Sequence, residues 1–401
     1  MPDCDLLIIG AGIAGLSMAH YAAEAGLKVL VLERESRPGG CLHSHRFNKA
    51  STEFWLELGA HSAFNSYGNL IAILESLQAL DCLIKRAKVG FRLYADGTVR
   101  SMPSQMDIPE LVLAPFRLLG LIKVGRSVAD YYGRIVGRRN YTRVFGPAFD
   151  AVICQPASDY PADSLFQSRP RRKDIPRGFA FSGGMQTITD TLAGRSGVRV
   201  ELGQTVRGIQ RGGKDFVVKA GDAHYTAPRV CLATSVAVAT ELLRSMFPAV
   251  AAQLAEIETA TVETVGVALP AEQVRLPPLA GLIGRGEPFY SAVSRDTVPD
   301  AQWRGFTFHF RPGVLGDEEK LNRIAHVLKI PRTALSLENV VSKINQLPSL
   351  RVGHGERTGH VDALLAGTGL ALSGNYFTGV ALEDCVTRSR AEFERLRREG
   401  L

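Results

Sequence analysis

Residues 5 to 40 constrain this chain more than any other stretch, because they set a glycine-rich turn between a buried strand and a helix. Asp5-Leu6-Leu7-Ile8-Ile9 reads as a strand buried on both faces, and Gly10-Ala11-Gly12-Ile13-Ala14-Gly15 follows at once. Leu16, Ala19, Ala22 and Ala23 keep a helical apolar period up to Gly26, a residue suited to a C-terminal cap. Lys28 to Leu32 then makes the second strand, and Glu33 ends it. In such a unit the first glycine permits the tight turn, the second lets a pyrophosphate approach the backbone, and the third lets helix and strand pack closely. The helix N-terminus turns free N–H groups and a partial positive charge toward the phosphates. Glu33 stands where it would accept hydrogen bonds from a ribose. The expectation is a parallel α/β sheet that holds a dinucleotide.

A chain of 401 residues, 45% of them hydrophobic, has enough core for two domains. The net charge of +7 suits an anionic substrate, an acidic membrane surface or nucleic acid. Nucleic acid is set aside, because the basic run Arg169-Pro170-Arg171-Arg172-Lys173 lacks interleaved aromatics and belongs to no binding module. That run reads as solvated, with attraction of carboxylates as the alternative. Six cysteines, at 4, 41, 82, 154, 231 and 385, form no C-x-x-C pair, so neither a zinc site nor a secreted disulfide framework is signalled. His43 and His45 share a strand face without a carboxylate or thiol partner, and no metal is expected. A strand within the first ten residues and no apolar run of membrane-spanning length point to a cytoplasmic protein, at most peripheral to the inner face of the membrane.

Two strands with a turn at Asp96-Gly97 are expected over residues 89 to 102. Residues 107 to 145 place Leu111, Leu118, Leu121 and Ile122 at helical spacing amid arginines. This reads as a packed helix pair with a solvated basic face, ahead of a basic amphipathic surface for a membrane. A helix should run from about Met185 to Gly194, with strands at 198–202, 206–210 and 216–220, and Val230 to Thr234 should return to the nucleotide-binding sheet. Within 262–345 the clear helix is Asp317 to Leu328. Near the end, Leu370 to Asn375 is a strand running into a turn, followed by Tyr376 to Val386, a second strand–turn–helix start able to cradle an anion.

Arg37-Pro38-Gly39-Gly40, just beyond the ribose position, gives a second close approach of backbone to a long ligand. Here the chain resembles the FAD-dependent amine oxidase and protoporphyrinogen oxidase superfamily. Glu57-Leu58-Gly59-Ala60-His61, Phe181 to Thr187, Leu347-Pro348 with Gly353-His354, and the Gly-Asn, Gly-Val and Glu-Asp-Cys-Val elements at 374–386 narrow it toward protoporphyrinogen and coproporphyrinogen oxidases. The resemblance implies an α/β fold, a Rossmann-type FAD-binding domain interwoven with a mixed-sheet plus helical substrate domain, as in p-hydroxybenzoate hydroxylase and amine oxidases. The expected division is 1–84, 180–260 and 346–401 for FAD, and 85–179 and 261–345 for substrate. Positions matching the family's FAD contacts are Gly10, Ala11, Gly12, Ile13, Ala14, Gly15, Glu33, Arg34, Gly40, Cys41, Gly59, Ala60, His61, Ser62, Val206, Val380, Ala381 and Leu382.

The substrate side departs from the family. A family arginine for a substrate propionate falls at Phe91, and Arg92 points to the opposite strand face. The segment between the hairpin and Gly183 is also shorter than usual. Tyr290 aligns with an apolar substrate-side position but equally suits a core; His309 is a candidate base, read first as a satisfied strand histidine. Cys41 and Cys385 near the flavin read as packed thiols rather than a thioether. With no second G-x-G-x-x-G, flavin reduction directly by substrate is expected, and the resemblance implies reoxidation by molecular oxygen. The leading function is an FAD-dependent oxidase taking hydride from a conjugated, anionic small molecule, porphyrinogen first. The alternatives are an oxidase of a smaller amine or nitrogen heterocycle, and a non-catalytic tetrapyrrole-binding protein.

Overall fold

Leu6–Ile9 and Val29–Leu32 are buried at every position, which is what apolar runs without alternation require of parallel strands covered on both sides. The structure, a computed structural model, describes residues 2–49 and 52–400. These two strands lie inside a five-stranded parallel sheet of order Val198–Glu201, Val29–Leu32, Leu6–Ile9, Arg229–Leu232 and Leu370–Leu372. Alternate side chains face opposite layers. Leu6, Ile8, Val29 and Val31 pack on a helical layer that includes Ile13–Glu24 and Leu382–Arg398. Leu7, Ile9, Leu30 and Leu32 pack toward the antiparallel meander Val206–Gly212, Asp215–Ala220 and Ala223–Ala227. The first helix ends as its sequence predicts, with Gly26 at φ +81° just beyond the Ala25 cap. Ser389 Oγ of the last helix donates to Ala14 O at 2.7 Å, joining the two ends of the chain.

A second, seven-stranded sheet runs in the order Val340–Ser349, Glu258–Pro270, Trp303–Phe310, Phe289–Ser294, Gly281–Gly284, Phe91–Ala95 and Thr98–Arg100. It is mixed, since Gly281–Gly284 pairs parallel to Phe91–Ala95 while the other neighbours are antiparallel. Asp96 at φ 51° and Gly97 at φ 71° form the expected two-residue turn, both left-handed as a type I′ hairpin needs. Phe306, Phe308 and Phe310 share a core with Ile324, Val327 and Leu328 of the expected Asp317–Leu328 helix. Residues of opposite parity face the other way. A Cβ on Gly266 would stand 3.1 Å from Leu58 Cδ2, and one on Gly305 2.2 Å from Leu56 Cδ2, so this face of the sheet abuts the segment leading to His61.

Two expectations are corrected. The packed helix pair at 107–145 is instead Ile108–Val112, Ala114–Leu118, Val128–Val136, Arg138–Asn140 and a π-turn at Tyr141–Phe145. Leu118 and Ile122 are exposed, together with Ile108, Val112, Leu113, Phe116, Leu119 and Val124. Pro109 and Pro115 sit in the first turns of the two leading pieces, and Gly120 (φ +70°) and Gly125 (φ +75°) interrupt the connection to the third. Pieces of five residues are too short to present one continuous face. The basic run is not simply solvated either. Arg169 pairs with the buried Asp384, and Arg172 reaches Glu75 at 2.7 Å and also Asp174, tying this loop to two helices. Among the described residues no helix is long and apolar enough to cross a membrane.

Candidate active site

Three glycine-bearing segments converge at the C-terminal edge of the parallel sheet. Gly10 has φ +104°, and a Cβ there would lie 2.5 Å from Ala233 O; a Cβ on Gly15 would lie 1.9 Å from Gly10 O. These two glycines let strand, turn and helix touch. Gly39 N–H donates to Ala11 O at 2.8 Å and forms a parallel bridge with Gly12, so the second glycine pair lies directly against the first turn. Gly59 completes the group, since a Cβ there would sit 1.9 Å from Cys41 O, while Ala60 N–H donates to that same oxygen at 3.2 Å. The cradle is lined by backbone. Gly12 caps the first helix without a side-chain bond, and the first turn carries no acid, which leaves its N-terminal N–H groups and positive dipole end for a ligand's phosphates. The residues present fit a dinucleotide.

Glu33 is buried against this turn. Its Oε2 accepts from Ala11 N–H at 2.7 Å and its Oε1 from Glu35 N–H at 3.0 Å. Ala60 and Ala381 pack on the same core as Ile13, Ala14 and Leu382, so the C-terminal element reaches the first turn as the sequence suggests. Ala381 N–H donates to Asp384 Oδ2 at 3.0 Å. Val380 packs on the opposite core. Val206 opens the meander opposite Ala220, and Arg34 lies at the surface 3.3 Å from Glu35. Ser62 is half-buried beside His61. Cys41 is solvent-exposed while desolvation pushes its thiol up, the combination expected in a deep cleft. Cys385 is fully enclosed, with its thiol raised by burial, and behaves as a small packed hydrophobe.

Beyond the glycines lies a polar chain that the sequence did not announce. Asn345 Nδ2 donates to Leu58 O at 2.8 Å and to Thr264 Oγ1 at 2.9 Å, and Thr264 Oγ1 lies 3.3 Å from His309 Nδ1. The Thr264 hydroxyl can either donate to Nδ1 or accept from it, according to the His309 tautomer. The His309 ring stacks on His61 at 6.5 Å and 27°, and His61 Nδ1 is 3.4 Å from Gly59 O. Burial lowers His309 to about 3 and His61 to about 4, aided at His309 by His61 and at His61 by Arg86. Both rings are neutral near pH 7. His309 is thus a hydrogen-bonded strand histidine that holds His61 in place, too weakly basic for a general base poised near neutrality.

His61 lines a cleft of about 420 Å³, counting space open to solvent, together with Trp55, Glu57, Ser294, Arg295 and Thr307. Glu57 accepts from Ser44 Oγ at 2.7 Å and from Met185 N–H at 2.9 Å, yet burial raises it to about 7. The Arg295 guanidinium stacks 3.9 Å from the Trp55 ring and 4.6 Å from that of Phe54, and burial lowers it to about 10. Lys343 Nζ donates to Gly40 O at 3.2 Å, and burial together with the Arg37 charge lowers its pKa.

The proposed substrate residues do not line this cleft. Phe91 is exposed beside Gly281, Arg92 is exposed, and Tyr290 is buried with Arg311 4.2 Å from its ring. His43 and His45 lie with rings 6.5 Å apart, His45 against Phe47. Arg295, Lys343, Thr264 and Asn345 carried no local signal, because strands distant in sequence bring them together; Glu57 sat in a quoted motif, but its burial was not readable there.

The pattern of the family "Flavin containing amine oxidoreductase" matches residues 13–302. The flavin-dependent L-tryptophan oxidase RebO of Lentzea aerocolonigenes is 25% identical over 246 residues, 51% of this chain and 51% of that protein. The 15-cis-phytoene desaturase of Narcissus pseudonarcissus is 32% identical over 111 residues, 28% of this chain and 19% of the desaturase. The chain thus spans about half, or less, of the length of these curated relatives. Among solved structures, a provisionally named protoporphyrinogen oxidase from Exiguobacterium sp. 255-15 superposes over 100% of both chains at TM-score 0.81 and 18% identity. Cyclohexylamine oxidase from Brevibacterium oxydans does so over 99% of both at TM-score 0.71 and 16% identity. The glycine cradle and the matched family pattern together place the chain in the flavin containing amine oxidoreductase family, as an FAD-dependent oxidoreductase.

Proposed function

We propose that this protein is an oxidase that removes a hydride from a conjugated, anionic small molecule in the cleft beside His61. The observation that carries this reading is the cleft itself, which joins the Gly59–His61 segment of the cradle to the Arg295 guanidinium. FAD supplies the hydride acceptor, with molecular oxygen as the proposed final oxidant. The segments 10–15, 40–41, 59–62 and 380–382, with Glu33, Arg34 and Val206, are assigned to holding it. Residues 1–84, 180–260 and 346–401 form the proposed cofactor portion, and 85–179 and 261–345 the substrate portion. His309 and Thr264 orient His61, and Trp55 and Phe54 fix Arg295.

Porphyrinogen is the first substrate to test, on the strength of the sequence resemblance. A smaller aromatic amine or nitrogen heterocycle is the second, favoured by Phe91 in place of the family arginine. Anaerobic mixing of the holoenzyme with protoporphyrinogen, coproporphyrinogen and a panel of aromatic amines should bleach the oxidised flavin band with its true substrate. Persistence of the oxidised band with both porphyrinogens rejects the first assignment, and persistence with every compound rejects hydride removal from this class. A cytoplasmic location with peripheral membrane contact belongs to the same proposal, supported by the exposed apolar side chains at 108–124.

A further inference from the structure

We propose that Lys343, with Arg37 beside it, supplies the counter-charge for the diphosphate of FAD, and does so from the seven-stranded sheet rather than from the nucleotide-binding one. The proposal concerns the cofactor alone and holds whichever substrate the cleft takes. Lys343 Nζ and Arg37 Nη2 each donate to the same oxygen, Gly40 O, both at 3.2 Å. Two cations thus meet on one neutral acceptor, and among the described residues neither forms an ion pair. Deep arginines elsewhere do meet carboxylates, as Arg304 meets Asp296 and Arg388 meets Asp362. Glu33, Glu35 and Asp190, whose charges reach Arg37, are engaged with other partners: Glu33 with Ala11 N–H at 2.7 Å, Glu35 with Arg34 at 3.3 Å and Asp190 with Gln186 Nε2 at 3.4 Å.

The pair stands at the phosphate end of the cradle. Gly39 bridges Gly12, a Cβ on Gly40 would stand 3.4 Å from Gly12 Cα, and Gly12 caps the first helix, whose opening turn has no acid of its own. Lys343 arrives there by strand geometry. It lies opposite Thr264 on the edge strand Val340–Ser349, and Asn345, two residues on and so on the same face, donates to Leu58 O at 2.8 Å. One strand face therefore grips both the Gly40 and the Leu58 segments. Arg37 is held by Pro38 O at 2.9 Å and Leu42 O at 3.1 Å, so its charge is fixed before any ligand arrives, whereas the Lys343 ammonium has three protons and one described acceptor. Desolvation keeps Cys41, the next residue after the glycine pair, a neutral thiol, and the positive charge at this point is brought in by Lys343 from a distant strand. Two desolvated like charges around one carbonyl repel each other, and a doubly charged diphosphate relieves both at once through charge-assisted hydrogen bonds.

FAD and riboflavin, which carries the same ring without the diphosphate, are titrated into the full chain freed of flavin and followed by the change in flavin fluorescence. Lys343→Met should weaken FAD by about ten-fold or more, the loss expected for one hydrogen bond between charged groups, and leave riboflavin within about two-fold of wild type. Lys343→Arg keeps the charge and should recover most of the FAD affinity. Arg37 is left in place because it holds the loop together. Wild-type FAD affinity in Lys343→Met overturns the proposal. So does an equal loss for FAD and riboflavin, which would put the ammonium at the ring or make it only a tie between strand and loop. A Lys343→Arg protein as weak for FAD as Lys343→Met overturns it too, since the charge would then not be what binds. No substrate enters this assay, so hydride removal in the cleft stands or falls separately.

Discussion

Replacing Glu57 by Gln should change the pH dependence of stability more than stability itself. Glu57 is held at about 7 rather than the ordinary 4.5, because burial outweighs its bonds from Met185 N–H and Ser44 Oγ and the nearby Arg295 charge. A raised folded-state value means that the native protein keeps this proton while the unfolded chain has released it. The resulting stabilisation is complete below about pH 4.5 and is lost as pH rises through about 7. At 1.36 kcal/mol per pH unit the interval is worth roughly 3 kcal/mol. An amide does not titrate, so Glu57→Gln escapes that loss. It gives up one accepting oxygen, a cost of about 1 kcal/mol at all pH values. The variant should therefore be slightly less stable than wild type at pH 4.5 and more stable at pH 8.5. With an unfolding entropy of about 2.1 cal/mol/K per residue, 3 kcal/mol over 401 residues moves the midpoint by about 3–4 °C. The assay is thermal unfolding of both holoproteins across that pH range, comparing the difference between them at each pH. A difference that stays constant to within about 1 °C would show that the Glu57 carboxyl titrates normally and refute the reasoning.

Gly59→Ala should release FAD, because its Cβ would stand 1.9 Å from a backbone oxygen that cannot swing aside. Overpacking of about 1–3 kcal/mol implies roughly ten-fold weaker cofactor binding, read as flavin lost on gel filtration. Gly68→Ala, with nothing within 4 Å, should retain the cofactor as wild type does, and equal retention in both variants would count against the cradle. Glu383→Gln should lower the unfolding midpoint by about 1–4 °C, since the buried carboxylate accepts from Asn69 N–H at 2.9 Å and Leu70 N–H at 3.1 Å at the start of the Gly68–Ser76 helix. An unchanged midpoint would contradict that account.

The features legible in the chain were those that local rules govern. The glycine turn, Gly26, the Asp96-Gly97 turn and the Asp317–Leu328 helix each arise from a backbone angle or an apolar period within a few residues. The helical stretch at 107–145 failed as a packed pair because periodicity shows where apolar groups align, not whether another surface covers them. At Arg169 the solvated reading failed and its alternative, attraction of carboxylates, held, but the partner was not readable, as Asp384 lies 215 residues away. The site divides the same way. The backbone cradle is written in glycines, whereas Arg295 reaches Trp55, Lys343 reaches Gly40, and the Asn345–Thr264–His309 chain forms only through strand order.

The bond from Ser389 to the Ala14 carbonyl spans 375 residues, and the sheet edge at Leu370–Leu372 pairs with Arg229–Leu232 and completes a layer begun at Leu6. A ribosome makes about 5–20 residues per second, so the first helix waits roughly 20–75 s for its last partner to be synthesised. Through that interval the first turn is made but its covering helix is not. FAD loading is therefore expected to come only after the Leu382–Arg398 helix has been made, and chains interrupted before that point would carry an open N-terminal helix, the form most exposed to proteolysis and aggregation.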